Sequence, residues 1–357
     1  AQFFGDKDEE NMKRSFALMT MLCFLIATFF TIVGFFFGDE VLMLFNKDPE
    51  ILATGHAYLI IAVFSYIPNL LAFSFSIAYR NIQKTFVPLL VSIVSSIFNI
   101  TFNYFLIFGI WIFPELGIRG AAIATVISSF VALGAHIIYA RATKQVFLPK
   151  LRHYMEALHK NFFTEILQKA TPLIFNETLF AIGTALYVII FNAFGTDAFE
   201  GYRIAESVVS IMLVVAMALG TSVSSMVGEK LGARQIDKAK EYAQRFIFIG
   251  IVVALFLGTF TSIFATPLVQ LFMSEENEVS ISVAISLMAV FGLRVSLRVF
   301  VVILFSVFRA GGMSRFVMII DAGVMWLVGL PIAFIGYRYL GITSLPLLFL
   351  IIQIEPL

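Results

Sequence analysis

A single cysteine, Cys23, stands in 357 residues, so no internal disulfide can form and no thiolate metal spacing exists. Charge is equally scarce. Asp, Glu, Lys and Arg make up 13% of the chain, against about 25% in soluble domains. The net charge of +1 gives a polyanion nothing to follow, so no nucleic-acid partner is expected. His-Glu-x-x-His, Asp-Asp-x-x-Asp and the nucleophile elbow are all missing, which argues against an intramembrane enzyme and against any catalytic residues. Together these shortages exclude a cytosolic enzyme, a nucleic-acid binder and a disordered chain. No cofactor is expected.

What fills the space is apolar. Hydrophobic residues reach 60%, with 41 Phe and 13 Met, and the mean hydropathy is +0.95. Crossing about 30 Å of hydrocarbon takes roughly 20 mostly apolar residues. Runs of that kind lie near 15–37, 53–79, 86–108, 120–140, 166–194, 198–227, 243–264, 279–308, 316–336 and 342–354, the last being short. They are continuous rather than alternating, which excludes barrel strands. The expectation is an all-α polytopic membrane protein of about ten helices in the plasma (inner) membrane, with the lipid bilayer as its main partner.

Basic residues fix the expected orientation. Segments 1–14, 80–85, 141–165, 228–245 and 309–315 carry most of the Lys and Arg and are expected in the cytoplasm, residue 1 included. The other side holds Lys47, Arg119 and Arg338 among acidic groups such as Asp39, Glu40, Asp48, Glu50, Glu275, Glu276 and Glu278. The chain opens on the polar stretch 1–14, which reads like an internal loop rather than a signal peptide.

A repeat runs through the chain. Gly5-Asp6-Lys7 resembles Gly232-Ala233-Arg234, and Val41-Leu42-Met43-Leu44-Phe45 resembles Leu268-Val269-Gln270-Leu271-Phe272 at the same spacing. Arg80 and Arg309, spaced two positions wider, each end a long apolar run before a short basic turn. One period holds an even number of runs, so the copies share an orientation, a parallel repeat found among transporters. Completing both copies takes twelve helices, and this chain reads as helices 3 to 12. The expected domains are an N-terminal lobe, 1–140, a cytoplasmic amphipathic linker, 141–165, and a C-terminal lobe, 166–357.

Several stretches resemble the multidrug and toxic compound extrusion (MATE) family. They are Asn103-Tyr104, Ile107-Phe108-Gly109, Pro114 through Thr125, Pro172, Asn176-Glu177, Gly183-Thr184, Gly228 through Ala233, Phe308 through Gly312, and Trp326 with Pro331. Gln83 and Met313-Ser314 depart from the family's usual glycine and Gly-Asp. The resemblance implies a secondary active multidrug efflux transporter. It would export small amphiphilic organic compounds, usually cations, by antiport with H⁺ or Na⁺, alternating access between two lobes. A monomer is expected. The rival readings are a lipid-linked oligosaccharide flippase of the same superfamily and a non-functional transporter fragment.

Ionisable groups inside a span are costly and default to functional roles. Glu177, eleven residues into the run from 166, lies roughly 16 Å deep at about 1.5 Å per residue. With Asn176 before it, Glu177 is the leading ion-coupling candidate, for a proton or for Na⁺. Glu206, with Arg203 three residues earlier, and Asp321 are further coupling candidates. Arg294 and Arg298, at i and i+4, project from one helix face. They either neutralise Glu177 and Asp321 or recognise an anionic or zwitterionic substrate. Asn69, Asn99, Asn103, Asn192 and His136 read as packing glue.

Overall fold

The computed structural model describes residues 1–43, 48–271 and 278–353. Lys47, Glu275 and Glu276, and the repeat positions Leu44, Phe45 and Phe272, lie outside the described residues. The described residues are helical, with no strand among them.

Nine helices among them are long and apolar enough to cross a membrane. They are α1 (Glu9–Phe36), α3 (Pro49–Asn81), α4 (Phe86–Phe108), α5 (Ile118–Ala142), α7 (Lys160–Asn192), α8 (Thr196–Gly232), α9 (Ile236–Ile263), α11 (Glu278–Ala310) and α12 (Ser314–Arg338). Shorter ones are α2 (Gly38–Met43), α6 (Leu151–Ala157), α10 (Ala265–Gln270) and α13 (Leu345–Ile352). Among the described residues, the run at 342–354 supplies only the short helix α13. The eight residues of α13 reach only about 12 Å at 1.5 Å per residue.

Local chemistry sets the boundaries. Asp8 caps α1 by accepting the Asn11 N–H at 3.0 Å, and Asp48 caps α3 with Pro49 in the first turn. Gly109, at φ 64°, ends α4 in the left-handed region that a side chain resists. In α3 the backbone tightens to a 3₁₀ turn at Val63–Ser65. Pro68 follows, with no N–H for the Phe64 carbonyl.

Element lengths recur along the chain. Helices α1 and α9 both have 28 residues, α2 and α10 both have 6, and α3 and α11 both have 33. Helices α7 and α8 have no counterpart earlier in the chain.

The contacts divide the chain into two compact units, residues 3–163 and 164–357. In the first, Phe16, Phe75, Tyr79 and Phe147 form an aromatic core, with Phe16 and Phe75 edge-on at 5.0 Å. Buried His136 stacks on Tyr79 and Phe75 there. Asn103 donates to Asn99, which donates to Ser128 of α5 at 3.2 Å. Asn69 and Asn192 are exposed. The segment 141–165 is partly tied to this unit. Helix α6 docks on α1 through Arg14–Glu156 at 2.8 Å and Arg152–Glu10 at 2.9 Å.

In the second unit, α8, α9 and α11 enclose a core that includes Val223, Leu287, Met288, Val295 and Ile303. Close approach depends on glycine. A Cβ on Gly292 of α11 would sit 2.7 Å from the Gly258 carbonyl of α9, and one on Gly258 would sit 2.5 Å from the Gly292 carbonyl. Small residues let membrane helices pack backbone to backbone in this way.

Candidate functional site

The polar groups of the second unit gather where α7, α11 and α12 meet. Pro172 inside α7 removes one backbone donor. One turn later Asn176 is only 1% exposed. Its Nδ2 donates to Asp321 Oδ2 of α12 at 3.0 Å, while its Oδ1 has no hydrogen-bond partner. Asp321 Oδ1 accepts from Arg298 Nη1 of α11 at 3.4 Å, with side chains 12% and 29% exposed. The Arg298 guanidinium also lies 4.8 Å from the Phe180 ring centre. Three helices thus converge on one carboxylate.

Asp321 lies next to an irregular stretch. Between Met325 and Gly329 the helix widens to a π-turn, a feature frequent at functional sites. Trp326 fastens it by donating to the Leu179 carbonyl of α7 at 3.1 Å.

One turn before Arg298, Arg294 lies 5.7 Å from the Phe291 ring and 5.2 Å from the Phe349 ring. The Tyr202 hydroxyl faces Arg294 and donates to Glu206 Oε1 at 3.0 Å. Arg203, three residues before Glu206, lies 6.0 Å from the Phe199 ring. No ion pair joins Arg203 to Glu206 among the described residues.

Glu177 points elsewhere. It is 65% exposed and pairs with Arg309 Nη2 at 3.3 Å. The structure therefore brings Asn176, Asp321 and Arg298 together and leaves Glu177 outside that group. Neutralisation of both acids by Arg294 and Arg298 holds only for Arg298 with Asp321. Arg309, Tyr202 and Phe180 were not singled out from sequence as site residues. The signals for Arg309 were its place at the end of a repeated run and inside the family-like stretch Phe308 through Gly312.

Arg294, Arg298 and Asp321 line a cavity of about 520 Å³ in this unit. Thr184, Tyr187, Tyr202 and Gln353 supply its other polar groups, and Phe and aliphatic side chains form most of the wall.

A second polar cluster lies in the first unit, where Glu10, His153 and Glu156 hold potential ligand atoms within 4.8 Å of one another. His153 is 1% exposed and accepts the Lys150 N–H at Nδ1, so its Nε2–H faces Glu10 at 3.1 Å. Both carboxylates already hold a guanidinium, which makes this an ion-paired lock rather than a cation site. Arg14 bonding holds the Glu156 carboxyl below the usual carboxylate range.

The MatE family model matches residues 1–105 and 172–335. The probable multidrug resistance protein YoeA of Bacillus subtilis (strain 168) is 25% identical over 342 residues, covering 95% of this chain and 73% of that protein. The probable multidrug resistance protein NorM of Thermotoga maritima is 25% identical over 309 residues, covering 85% of this chain and 64% of that protein. A crystal structure of VcmN, a MATE transporter of Vibrio cholerae, superposes with a TM-score of 0.87 at 20% identity. It covers 99% of this chain and 79% of its own.

Proposed function

Because the chain belongs to the MatE family, we propose that it is a multidrug efflux transporter exporting small amphiphilic organic compounds by antiport with H⁺ or Na⁺. The family places it in the membrane as a multi-pass protein. The Lys and Arg distribution supports residue 1 and segment 141–165 on the cytoplasmic side of the plasma membrane. We take it to act as a monomer.

One observation carries the coupling role: Asp321 is held between a neutral amide and a guanidinium at the wall of an apolar cavity. Ionised, Asp321 balances Arg298 and accepts from Asn176. Taking up a proton cancels that balance and releases Arg298 toward the cavity. Rotating the Asn176 amide would then present its Oδ1, now without a partner, to the new carboxyl O–H. In the ionised state the pair leaves no buried unpaired charge, whereas protonation leaves the Arg298 cation without its carboxylate and so favours its movement. Asn176 Oδ1 and the Asp321 carboxylate give few oxygens for Na⁺, so the donor set favours H⁺.

The test uses vesicles carrying the protein, with pH and Na⁺ gradients imposed separately and efflux of one cationic and one anionic dye followed. A pH gradient is expected to drive efflux, and Asp321→Asn to abolish it while substrate still binds. Wild-type efflux in Asp321→Asn would remove Asp321 from the mechanism and return the role to Glu177 or Glu206.

A further inference from the structure

The cavity's charges do not cancel. Arg294, Arg298 and Asp321 are the formally charged side chains in its wall, and Arg298 and Asp321 neutralise each other. No carboxylate lies within ion-pair distance of Arg294 among the described residues. Glu206 is linked to it only through the Tyr202 hydroxyl. The Phe291 and Phe349 rings flank its guanidinium. Such contacts offset part of the desolvation of a cation, but they leave its hydrogen-bonding edge to be filled. One cation in an apolar enclosure is an unfinished ion pair.

We propose that Arg294 anchors the acidic head of a single-tailed anionic amphiphile, a carboxylate, sulfate or monoester phosphate, whose apolar body lies along the Phe and aliphatic wall. This rests on the transport reading above and names the substrate class of that same site. Guanidinium presents a planar fork of N–H donors that two oxygens of such a head accept side by side, which an ammonium cannot match. Tyr202, held by Glu206, fixes one side of the fork. Leu304 and Phe305, about three turns beyond Arg294 along α11, line the same cavity and offer apolar surface to the tail. The cavity volume of about 520 Å³ fits the range of about 300–1,000 Å³ typical of small-molecule sites, and this favours one chain over a two-chain lipid. An amphiphilic cation would meet uncompensated positive charge here.

The test is equilibrium binding to the purified protein in nonionic detergent, with no gradient, using dansylated undecanoate and its primary amide. The two probes share a body and differ only in charge. The acid is expected to bind about tenfold more tightly than the amide, as a charge-assisted hydrogen bond implies. Arg294→Gln should bring the two together, and Arg294→Lys should keep part of the preference. Equal binding of acid and amide to the wild-type protein overturns the proposal whether or not any variant folds. An acid preference surviving in a folded Arg294→Gln variant also overturns it. Displacement of the probe by added phosphatidylglycerol would overturn the single-tailed assignment, and an undisturbed signal supports it. Since no gradient enters the measurement, loss of coupled efflux and loss of anion preference are read separately.

Discussion

Asn176 donates its side-chain amide to Asp321 at 3.0 Å, tying α7 to α12 from positions 145 residues apart. Glu177, the next residue along, turns away to Arg309. Asn176 is thereby committed to the Asp321 carboxylate and Glu177 to an exposed surface pair, and their substitutions should behave differently.

Removing the Asp321 carboxylate strands Arg298, whose side chain is 29% exposed. Asp321→Ala should cost about 2–3 kcal/mol, the penalty for an unpaired, largely buried cation. Adding Arg298→Met should recover most of it, because the charge is then gone as well. A double-mutant cycle on detergent-solubilised protein, read as thermal unfolding, checks this. Additive losses would mean the pair carries no coupling energy.

Glu177→Gln should lower the melting temperature less than Asp321→Ala does, since Glu177 is 65% exposed and Asp321 12%. Gradient-driven efflux should persist if Asp321 is the coupling acid. Efflux lost with binding intact would instead make Glu177 the coupling residue.

Glycine packing gives a sharp contrast. Gly258→Ala would push a methyl into the Gly292 backbone, and overpacking of this kind costs about 1–3 kcal/mol. Gly134→Ala, on α5, meets nothing within 4 Å and should stabilise by about 0.5–1 kcal/mol through helix propensity. Thermal unfolding of both variants should shift in opposite directions.

The α6 lock should open in acid. Bonding from Arg14 lowers the Glu156 carboxyl value in the folded protein, so the unfolded state binds protons more readily. Its stabilisation is fully present above the ordinary value of about 4.3 and is lost as pH falls through the lower folded value. Hydrogen exchange at 151–157 should therefore accelerate below about pH 4. Glu156→Gln should remove the Glu156 share of that acid limb. The Glu10 contacts with Arg152 and His153 would remain. An unchanged acid limb in Glu156→Gln would place the titrating group elsewhere.

The chain's apolar runs, its basic loops and its repeated spacing are one-dimensional properties, and they determined an all-helical membrane protein with a parallel repeat. The MATE kind came from the resemblance of motifs such as Pro114 through Thr125 and Phe308 through Gly312. The recurrence of 28, 6 and 33 residues in the helices follows that spacing. Position along a helix was legible as well, because residues advance about 1.5 Å apiece along its axis. Which way a side chain points was not. Successive residues turn by about 100°, and a helix apolar on every side carries no stripe to show which face is buried. Asn176 and Glu177 are neighbours along α7, yet one is 1% and the other 65% exposed. The i, i+4 spacing put Arg294 and Arg298 on one face, but only the packing of α7, α8 and α12 around α11 decided their partners. Arg298 met Asp321 and Arg294 met a tyrosine hydroxyl, because an ion pair between helices depends on rotation about each axis, and tertiary contacts alone set that rotation.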